Sequence, residues 1–281
     1  MKWFIKIFAK IIIRKLPISY TFWKFLGLFR HGKMDSCNYA IKIFNLHFNR
    51  AFTKKKPIQI KILELGPGDS IASAIIAYAH GVSRIYLVDV GKFATKNLDF
   101  YKKLANKLKS DGLPTPDLTN ISSIEEILKL TNSVYLTNGL SSLKLIKSLS
   151  LDFVWSHSVL EHIPKNEFLD IQKEINRVLK KSGRASHNID FQDHLDHGLN
   201  NLRFSENIWE SRIFVNSGFY TNRIPAVKMI SIFKKVGFDI EHQSFGKWPK
   251  LPISRSNIHK DFNIYSNSDL KIRTAYVLLK K

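Results

Sequence analysis

The chain has 281 residues, 44% of them hydrophobic, enough to bury one full α/β core with appendages but not to suggest two equal domains. Its 44 basic residues against 23 acidic ones give a net charge of +21, which favours an anionic surface or substrate without choosing among nucleic acid, phosphate-bearing ligand and lipid headgroup. A single cysteine, Cys37, excludes an internal disulfide framework and a thiolate zinc cluster, and fits a reducing cytoplasm.

Residues 1–33 carry Lys2, Lys6, Lys10, Arg14, Lys15, Lys24, Arg30 and Lys33, with no acid before Asp35. The spacing of the first four bases leaves Phe4, Ile5, Phe8, Ile11 and Ile12 on the other side of a helix, with Trp3 at its edge. No apolar run here approaches the roughly 18 residues that a spanning helix needs, so any membrane contact would lie along the surface. Lys6 and Lys10 interrupt a signal-peptide core, and no small-residue cleavage pattern follows. The same apolar side chains would serve equally to pack on the rest of the chain. Pro17 is expected to end this helix, and Tyr20 to Phe29 reads as a second, aromatic-rich one. Ala40, Ile43, Phe44, His47, Phe48 and Phe52 then recur at helical spacing up to the basic run Lys54-Lys55-Lys56 and Pro57.

Ile60 to Leu65 reads as a buried strand, and Gly66-Pro67-Gly68 supplies a tight turn in which backbone can approach a ligand. Ser70 is placed to cap a helix from Ile71 to His80, closed by Gly81. Free amides and the helix dipole in such a turn would bind the carboxylate or phosphate of a small ligand. Arg84 to Asp89 is a second strand with an acid at its carboxyl end, 21 residues after Gly68, where a ribose diol would be gripped. Position 71 is Ile rather than the third glycine of a dinucleotide fingerprint, which disfavours an NAD enzyme. Ala94 to Asp111 reads as a helix closed by Gly112. A polar insertion follows with a short helix near Ile124 to Leu130, and then a third strand from Ser133 into Asn138-Gly139.

Leu151 to Pro164 is a buried strand that runs into the polar segment Ser156-His157-Ser158, followed by Val159-Leu160-Glu161-His162-Ile163. Asn166 is expected to cap a helix with the apolar face Phe168, Ile171, Ile175, Val178 and Leu179, ended by Gly183. A fifth strand, Arg184 to Phe191, opens onto His187, Asp190, Asp193, His194 and His197. Histidines and carboxylates at the mouth of a sheet can act as general bases or ligate metal, and the loose spacing favours bases. Residues 200–220 are rich in polar and aromatic side chains where a substrate-binding insertion would sit. The chain then reads as a helix from Ile224 to Val236, a strand from Phe238 to Phe245 and a last strand from Ala275 to Leu279.

Gly66-x-Gly68 preceded by Glu64 and followed by Asp89, with the strand-four segment 151–164, resembles the class I S-adenosylmethionine-dependent methyltransferases, of the methyltransferase type 11-like kind. The resemblance covers roughly residues 58–281. It implies an α/β fold: a Rossmann-like seven-stranded sheet, mostly parallel with an antiparallel last strand, and helices on both faces. Residues 1–57 would be basic amphipathic helices and 58–281 the methyltransferase domain, with a substrate-binding insertion near 192–222. The cofactor would be S-adenosyl-L-methionine, bound by Glu64, Gly66, Gly68, Asp89, Asn138 and Ser156, with the turn on its methionine part, Asp89 on its ribose and Asn138-Gly139 by its adenine.

His157 would lie nearest the transferred methyl, and His157 and His194 are the leading bases, oriented by Asp190 and Asp193. Glu161 and His162 match a pair that braces the loop. In some quinone O-methyltransferases a similar pair binds metal with a further ligand at the place of Ser158, so no metal is expected. The acceptor implied is a hydroxyl or amino group on a small, sugar-like or lipid-linked molecule, because the aromatic and acidic region 187–220 suits sugar rings. His187 to Trp209 faintly resembles methyltransferases of bacterial surface polysaccharide assembly. The partners implied are a small-molecule or lipid-linked glycan acceptor and an anionic membrane surface, with the protein cytoplasmic and peripheral at the inner face. The alternatives are a nucleic-acid methyltransferase, which lacks an Asn-Pro-Pro-Tyr-type motif at Ser156-His157-Ser158-Val159, and a non-catalytic nucleotide-binding protein.

Overall fold

Along the strand Lys61–Leu65 (β1), Ile62 faces one apolar layer while Leu63 and Leu65 face the other, the period of two that a sheet covered on both sides requires. The computed structural model describes residues 3–15, 33–53 and 59–281. The expectations for Pro17, Tyr20–Phe29 and the run Lys54–Pro57 lie outside those residues.

Helix α1 (Trp3–Lys15) and helix α2 (Cys37–Ala51) precede β1. After β1 come α3 (Ala72–Ala79), β2 (Arg84–Val88), α4 (Leu98–Ser110), α5 (Ile124–Leu130), β3 (Ser133–Leu136), α6 (Gly139–Lys144) and β4 (Leu151–His157). The chain continues through α7 (Lys165–Val178), β5 (Leu179–Asp190), α8 (Glu206–Trp209), α9 (Arg212–Val215), α10 (Ala226–Lys235), β6 (Asp239–Lys247), α11 (Asn267–Leu270) and β7 (Ile272–Lys280). The seven strands form one sheet in the order β3-β2-β1-β4-β5-β7-β6. The pairs β2–β3, β1–β2, β1–β4 and β4–β5 are parallel, and β7 runs antiparallel to both β5 and β6. This is the expected architecture, down to the antiparallel last strand.

Strand order reverses beside β1, whose neighbours are β2 and β4, so a crevice opens at the carboxyl ends of β1 and β4. One face of the sheet carries α2, α3, α4 and α5 over Ile62, Phe153 and Trp155. The other face carries α7 and α10 over Leu63, Val154, Ala185 and Val277. On α2 the buried residues Ala40, Ile43, Phe44, His47, Phe48 and Ala51 make one stripe, and this stripe brings a histidine onto the sheet.

Several boundaries differ from the sequence reading: α3 begins at Ala72 with Ile71, not Ser70, at its N-cap, and α4 begins at Leu98, capped by Asn97, rather than at Ala94. Helix α7 begins at Lys165 behind Pro164, whose carbonyl accepts from the amides of Glu167 and Phe168, so Asn166 lies in the first turn and is not the cap. The helix stops at Val178 rather than Gly183, because Leu179 already pairs with Leu151; pairing resumes at Arg184 with Phe153, and residues 180–183 bulge between.

Candidate active site

Gly66 and Gly68 both take positive φ, +73° and +63°. At Gly66 the need for glycine is also steric: a Cβ there would meet Val159 Cγ2 at 2.4 Å. The turn after β1 and the loop after β4 are therefore in direct contact, and the two halves of the site are built against each other. The turn differs from its expected form in one respect. Four of its amides are engaged: Gly66 N–H donates to the Val88 carbonyl at 2.8 Å, Gly68 N–H to Asp89 Oδ2 at 3.0 Å, Ile71 N–H to Tyr101 Oη at 3.2 Å and Ala72 N–H to Ser70 Oγ at 3.3 Å. The Ser70 hydroxyl also donates to the Met34 carbonyl, which ties the segment before α2 to the turn.

Buried acids also characterise this end of the crevice. Asp89 is 9% exposed and Glu64 2% exposed. Asp89 Oδ1 accepts from Val90 N–H at 2.7 Å, and burial, together with nearby Asp69, raises its carboxyl above the usual range. Burial and the neighbouring Asp89 push Glu64 up to about 8, and Glu64 Oε2 has no hydrogen-bond partner among the described residues. Such a cluster suits a ligand with an ammonium or sulfonium charge and a diol better than one with phosphates, since a cation relieves the repulsion that a phosphate would add to. Gly139 N–H donates to the Asp89 carbonyl at 2.8 Å, so the loop after β3 closes on the same spot. Asn138 is exposed there, and Val90, 75% exposed, adds an apolar surface that the sequence reading did not single out.

The carboxyl ends of β4 and β5 carry histidines, and the two proposed bases sit in separate pairs. His157 is partly exposed and its Nδ1 lies 3.1 Å from Nε2 of the fully buried His47. His47 Nδ1 is 2.7 Å from Ser186 Oγ, which donates to Tyr276 Oη at 3.3 Å. Burial lowers His157 to about 4 and holds His47 well below the usual imidazole range, so both rings are neutral near pH 7. Ser158, next in the chain, takes φ +53°, and its N–H donates to the Asn188 carbonyl at 2.8 Å, which fixes the turn that brings Val159 over Gly66.

His194 stacks on His162 with ring centroids 4.9 Å apart and Nε2 atoms 3.2 Å apart. His162 Nδ1 must donate to the Tyr220 carbonyl at 3.0 Å, so neutral His162 has a bare Nε2 and the Nε2–H of His194 donates to it. That nitrogen of His194 is thus occupied as a donor, and burial lowers its pKa to about 4.

Four expectations need correction. Asp193 is 1% exposed and spends its carboxylate on loop amides, Oδ1 on Leu195, Asp196 and Gly198 and Oδ2 on Asn200, so it shapes a turn instead of orienting a base. Asp190 likewise accepts from Gln192, at Oδ1 from its N–H and at Oδ2 from its side-chain amide, and bonds to neither His157 nor His194. Ser156 and His187 are fully buried on the α10 side, hydroxyl to Nδ1 at 2.7 Å with His187 stacked on Phe233, because position 156 alternates with Trp155 and His157. The aromatics of 204–219 also turn inward: Phe204, Trp209, Phe214 and Phe219 pack against one another at tilted angles around Ile7 and Leu195. Trp209 and Phe219 are fully buried and closed to a sugar, while Phe204 and Phe214 are half-buried.

Glu161 braces the loop. Its Oε1 accepts from Asp190 N–H at 3.2 Å and its carbonyl from Asn222 N–H at 2.7 Å, and burial pushes its carboxyl up to about 8. Among the described residues no group of three or more His, Cys, Asp or Glu is placed to share a metal ion. His47, Ser186 and Tyr276 were missed by the sequence reading as site residues. The available signal was a histidine within an otherwise apolar buried stripe, which must find a hydrogen-bond partner. A separate open groove of about 590 Å3 lies at the far edge of the sheet, between α10 and β6.

Residues 63–186, which run from β1 into β5, match the family model described as a methyltransferase domain. No curated protein matches the chain. Among solved structures, the chain is similar to a SAM-dependent methyltransferase from Methanosarcina mazei at 16% identity, covering 80% of this chain and 93% of that one, with a TM-score of 0.49. An S-adenosylmethionine-dependent methyltransferase from Mesorhizobium loti shares 14% identity over 82% of this chain and 94% of its own, with a TM-score of 0.44. The [4+2]-cyclase SpnF shares 13% identity over 86% and 80%, with a TM-score of 0.47.

Proposed function

Since the chain is an S-adenosylmethionine-dependent methyltransferase of class I, we propose that it methylates a hydroxyl or amino group of a small, sugar-like or lipid-linked acceptor, with His157 as the base. Glu64, Gly66, Gly68 and Asp89 would hold the donor, whose chemistry is to supply an electrophilic methyl group. The acid cluster fits it: a cationic ligand relieves the repulsion between Glu64 and Asp89, and a ribose diol can donate to the remaining lone pairs of Asp89. Asn138 and Val90 would flank the adenine. Ser156 supports the strand from below.

The acceptor oxygen or nitrogen gains the methyl carbon as its own bond to hydrogen breaks, the proton passing to His157 while the electron pair of the broken carbon–sulfur bond stays on sulfur. The chain's main contribution would be proximity, and proton removal by one base typically adds about 10²- to 10⁴-fold. Burial keeps His157 unprotonated above about pH 4, and the same desolvation weakens it as a base at neutral pH, so an acceptor bound beside it has to stabilise the imidazolium as the proton arrives.

The observation that favours a lipid-linked or membrane-made acceptor is the two-sided use of α1. Its Ile7 is buried with Leu195, Trp209, Phe219 and Tyr220, and Lys6 Nζ donates to the Leu195 carbonyl, beside His194. Phe4, Ile5 and Phe8 point away, Phe8 being 67% exposed. Packing on the domain and contact with a surface are thus compatible rather than competing. With the bases of residues 1–33, that exposed stripe suits an anionic bilayer, where each engaged base adds about 1 kcal/mol. No described helix is long and apolar enough to cross a membrane.

Incubation of the protein with a labelled methyl donor and separate lipid, glycan and RNA extracts tests the acceptor. Label entering the lipid or glycan extract is expected; label entering RNA alone would replace this reading with the nucleic-acid one. Sedimentation with anionic vesicles tests the surface, and equal binding by the wild type and a Phe4→Ser, Phe8→Ser variant would remove it.

A further inference from the structure

The contact between His157 and His47 joins β4 to the helix that roofs the crevice, across 110 residues of sequence. It continues through Ser186 on β5 to Tyr276 on β7, with the Arg50 guanidinium 4.1 Å from the centre of the Tyr276 ring. Each of these side chains is on the α2 face of the sheet, and His47 also stacks on Trp155 at 5.0 Å. With the single hydroxyl proton of Ser186 given to Tyr276 Oη, the direction of that 3.3 Å contact, rather than to His47 Nδ1 at 2.7 Å, the tautomers along this chain of contacts follow. The Ser186 oxygen is then an acceptor for His47, so Nδ1 of His47 carries its proton. A neutral imidazole has only one such proton, which leaves Nε2 of His47 bare. That nitrogen is 3.1 Å from His157 Nδ1, which must therefore be the donor of the pair.

We propose that His47 is a positioning residue that holds His157 in its Nδ1–H tautomer, leaving Nε2 of His157 as the lone pair presented to the acceptor. The proposal deepens the reading of His157 as the base and rests on it. Without the relay, an imidazole at the end of β4 would be free to rotate and to exchange tautomers, and the Nε2–H form would present a donor where the reaction needs an acceptor. When Nε2 takes the proton, the charge on the ring is shared with a hydrogen bond already made at Nδ1, since the lone pair of His47 faces it. Burial keeps His47 neutral, so the acceptor end of that hydrogen bond persists. The arrangement parallels an imidazole oriented through its second nitrogen, with a neutral histidine in the place usually taken by a carboxylate.

Nitrogen-15 NMR of the histidine rings in the full-length protein tests this directly, with the His157 signals assigned by their loss in His157→Gln. In the wild type, Nδ1 of His157 should be protonated and Nε2 bare, with and without S-adenosylhomocysteine. In His47→Phe the Nε2–H form should become the major one, and methyl transfer into the lipid and glycan extracts should fall roughly ten- to a hundredfold. His47→Gln can still accept from Nδ1–H through its amide oxygen, so it should restore the wild-type tautomer and part of the rate. Ser186→Ala, which leaves His47 in place, should give a mixture of tautomers. A wild-type His157 protonated at Nε2, or a tautomer unchanged in His47→Phe, overturns the positioning role whatever the activity. Full activity in His157→Gln overturns the base reading, and the relay then has no part in the reaction.

Discussion

The two ends of the crevice answer the same force with opposite chemistry. At the β1–β2 end burial raises the carboxyls of Glu64 and Asp89, and at the β4–β5 end burial lowers His47, His157 and His187, the last to about 3. Both shifts favour the uncharged form of the group. At the acid end this leaves a site that gains most from a ligand carrying positive charge, because such a ligand offsets the cost of ionising Glu64. At the histidine end it leaves imidazoles whose lone pairs are not already protonated. A cationic methyl donor on one side and a base on the other, as proposed, would use this asymmetry, which the sheet supplies by placing acids on β1 and just after β2 and histidines on β4, β5 and helix α2.

The comparison breaks most readily at Asp89. Asp89→Ala removes the carboxylate that accepts from Gly68 and Val90 and that would receive the ribose hydroxyls, with charge-assisted hydrogen bonds each contributing about 1.5 to 3 kcal/mol. Affinity for S-adenosylhomocysteine, measured by calorimetry, should fall at least about a hundredfold. An unchanged affinity would mean that the acid end is not the donor site. Gly66→Ala probes the seam between the two ends. The added Cβ would approach Val159 Cγ2 to 2.4 Å on a backbone with φ +73°, so the loop carrying His157 must shift. A loss of about 2 to 3 kcal/mol in denaturant unfolding is expected, and the double variant with Val159→Ala should recover the steric part. If Val159→Ala recovers nothing, the two loops are not built against each other.

Most of the fold was legible because it rests on patterns internal to each segment. The period-two runs at Ile62–Leu65 and Phe153–Trp155, the glycines at 66 and 68, and the acid at 89 define strands, turn and strand end without reference to anything distant. The site was less legible because it depends on which face of a strand each residue takes and on who meets it there. Ser156 and His157 are adjacent in sequence, yet one bonds to His187 beneath the sheet and the other to His47 above it. His47 stood in the apolar stripe of α2 as if it were a core residue, and its partners come from β4 and β5. The aromatics of 204–219 suggested a sugar platform on composition, but cohesion among large apolar rings turned them into a small core with α1. Asp193 belonged to its own loop because four amides within reach of one carboxylate outbid a distant ring.

The opposed shifts also set the pH dependence of stability. Glu64 and Glu161 have folded pKa values near 8, above the unfolded 4.5, so the native state binds more protons and stability falls as pH rises from 4.5 to 8. His157, His187 and His194 have folded values near 4, 3 and 4, below the unfolded 6.5, so the unfolded state binds more protons and stability falls as pH drops below 6.5. Above 6.5 only the acids act, below 4.5 only the histidines, and between those values the two oppose. Each group contributes at most about 1.4 kcal/mol per pH unit in its window. Thermal unfolding should therefore be most resistant near pH 6, with a decline toward pH 8 that Glu64→Gln and Glu161→Gln each flatten and a steeper acid decline that they leave in place. Binding of S-adenosylhomocysteine, whose ammonium retains the positive charge, should lower the Glu64 pKa and release part of a proton. Affinity should accordingly rise with pH up to about 8, and calorimetry in buffers of different ionisation enthalpy would measure the release. Release that persists unchanged in Glu64→Gln would assign the proton to another group and separate Glu64 from the donor site.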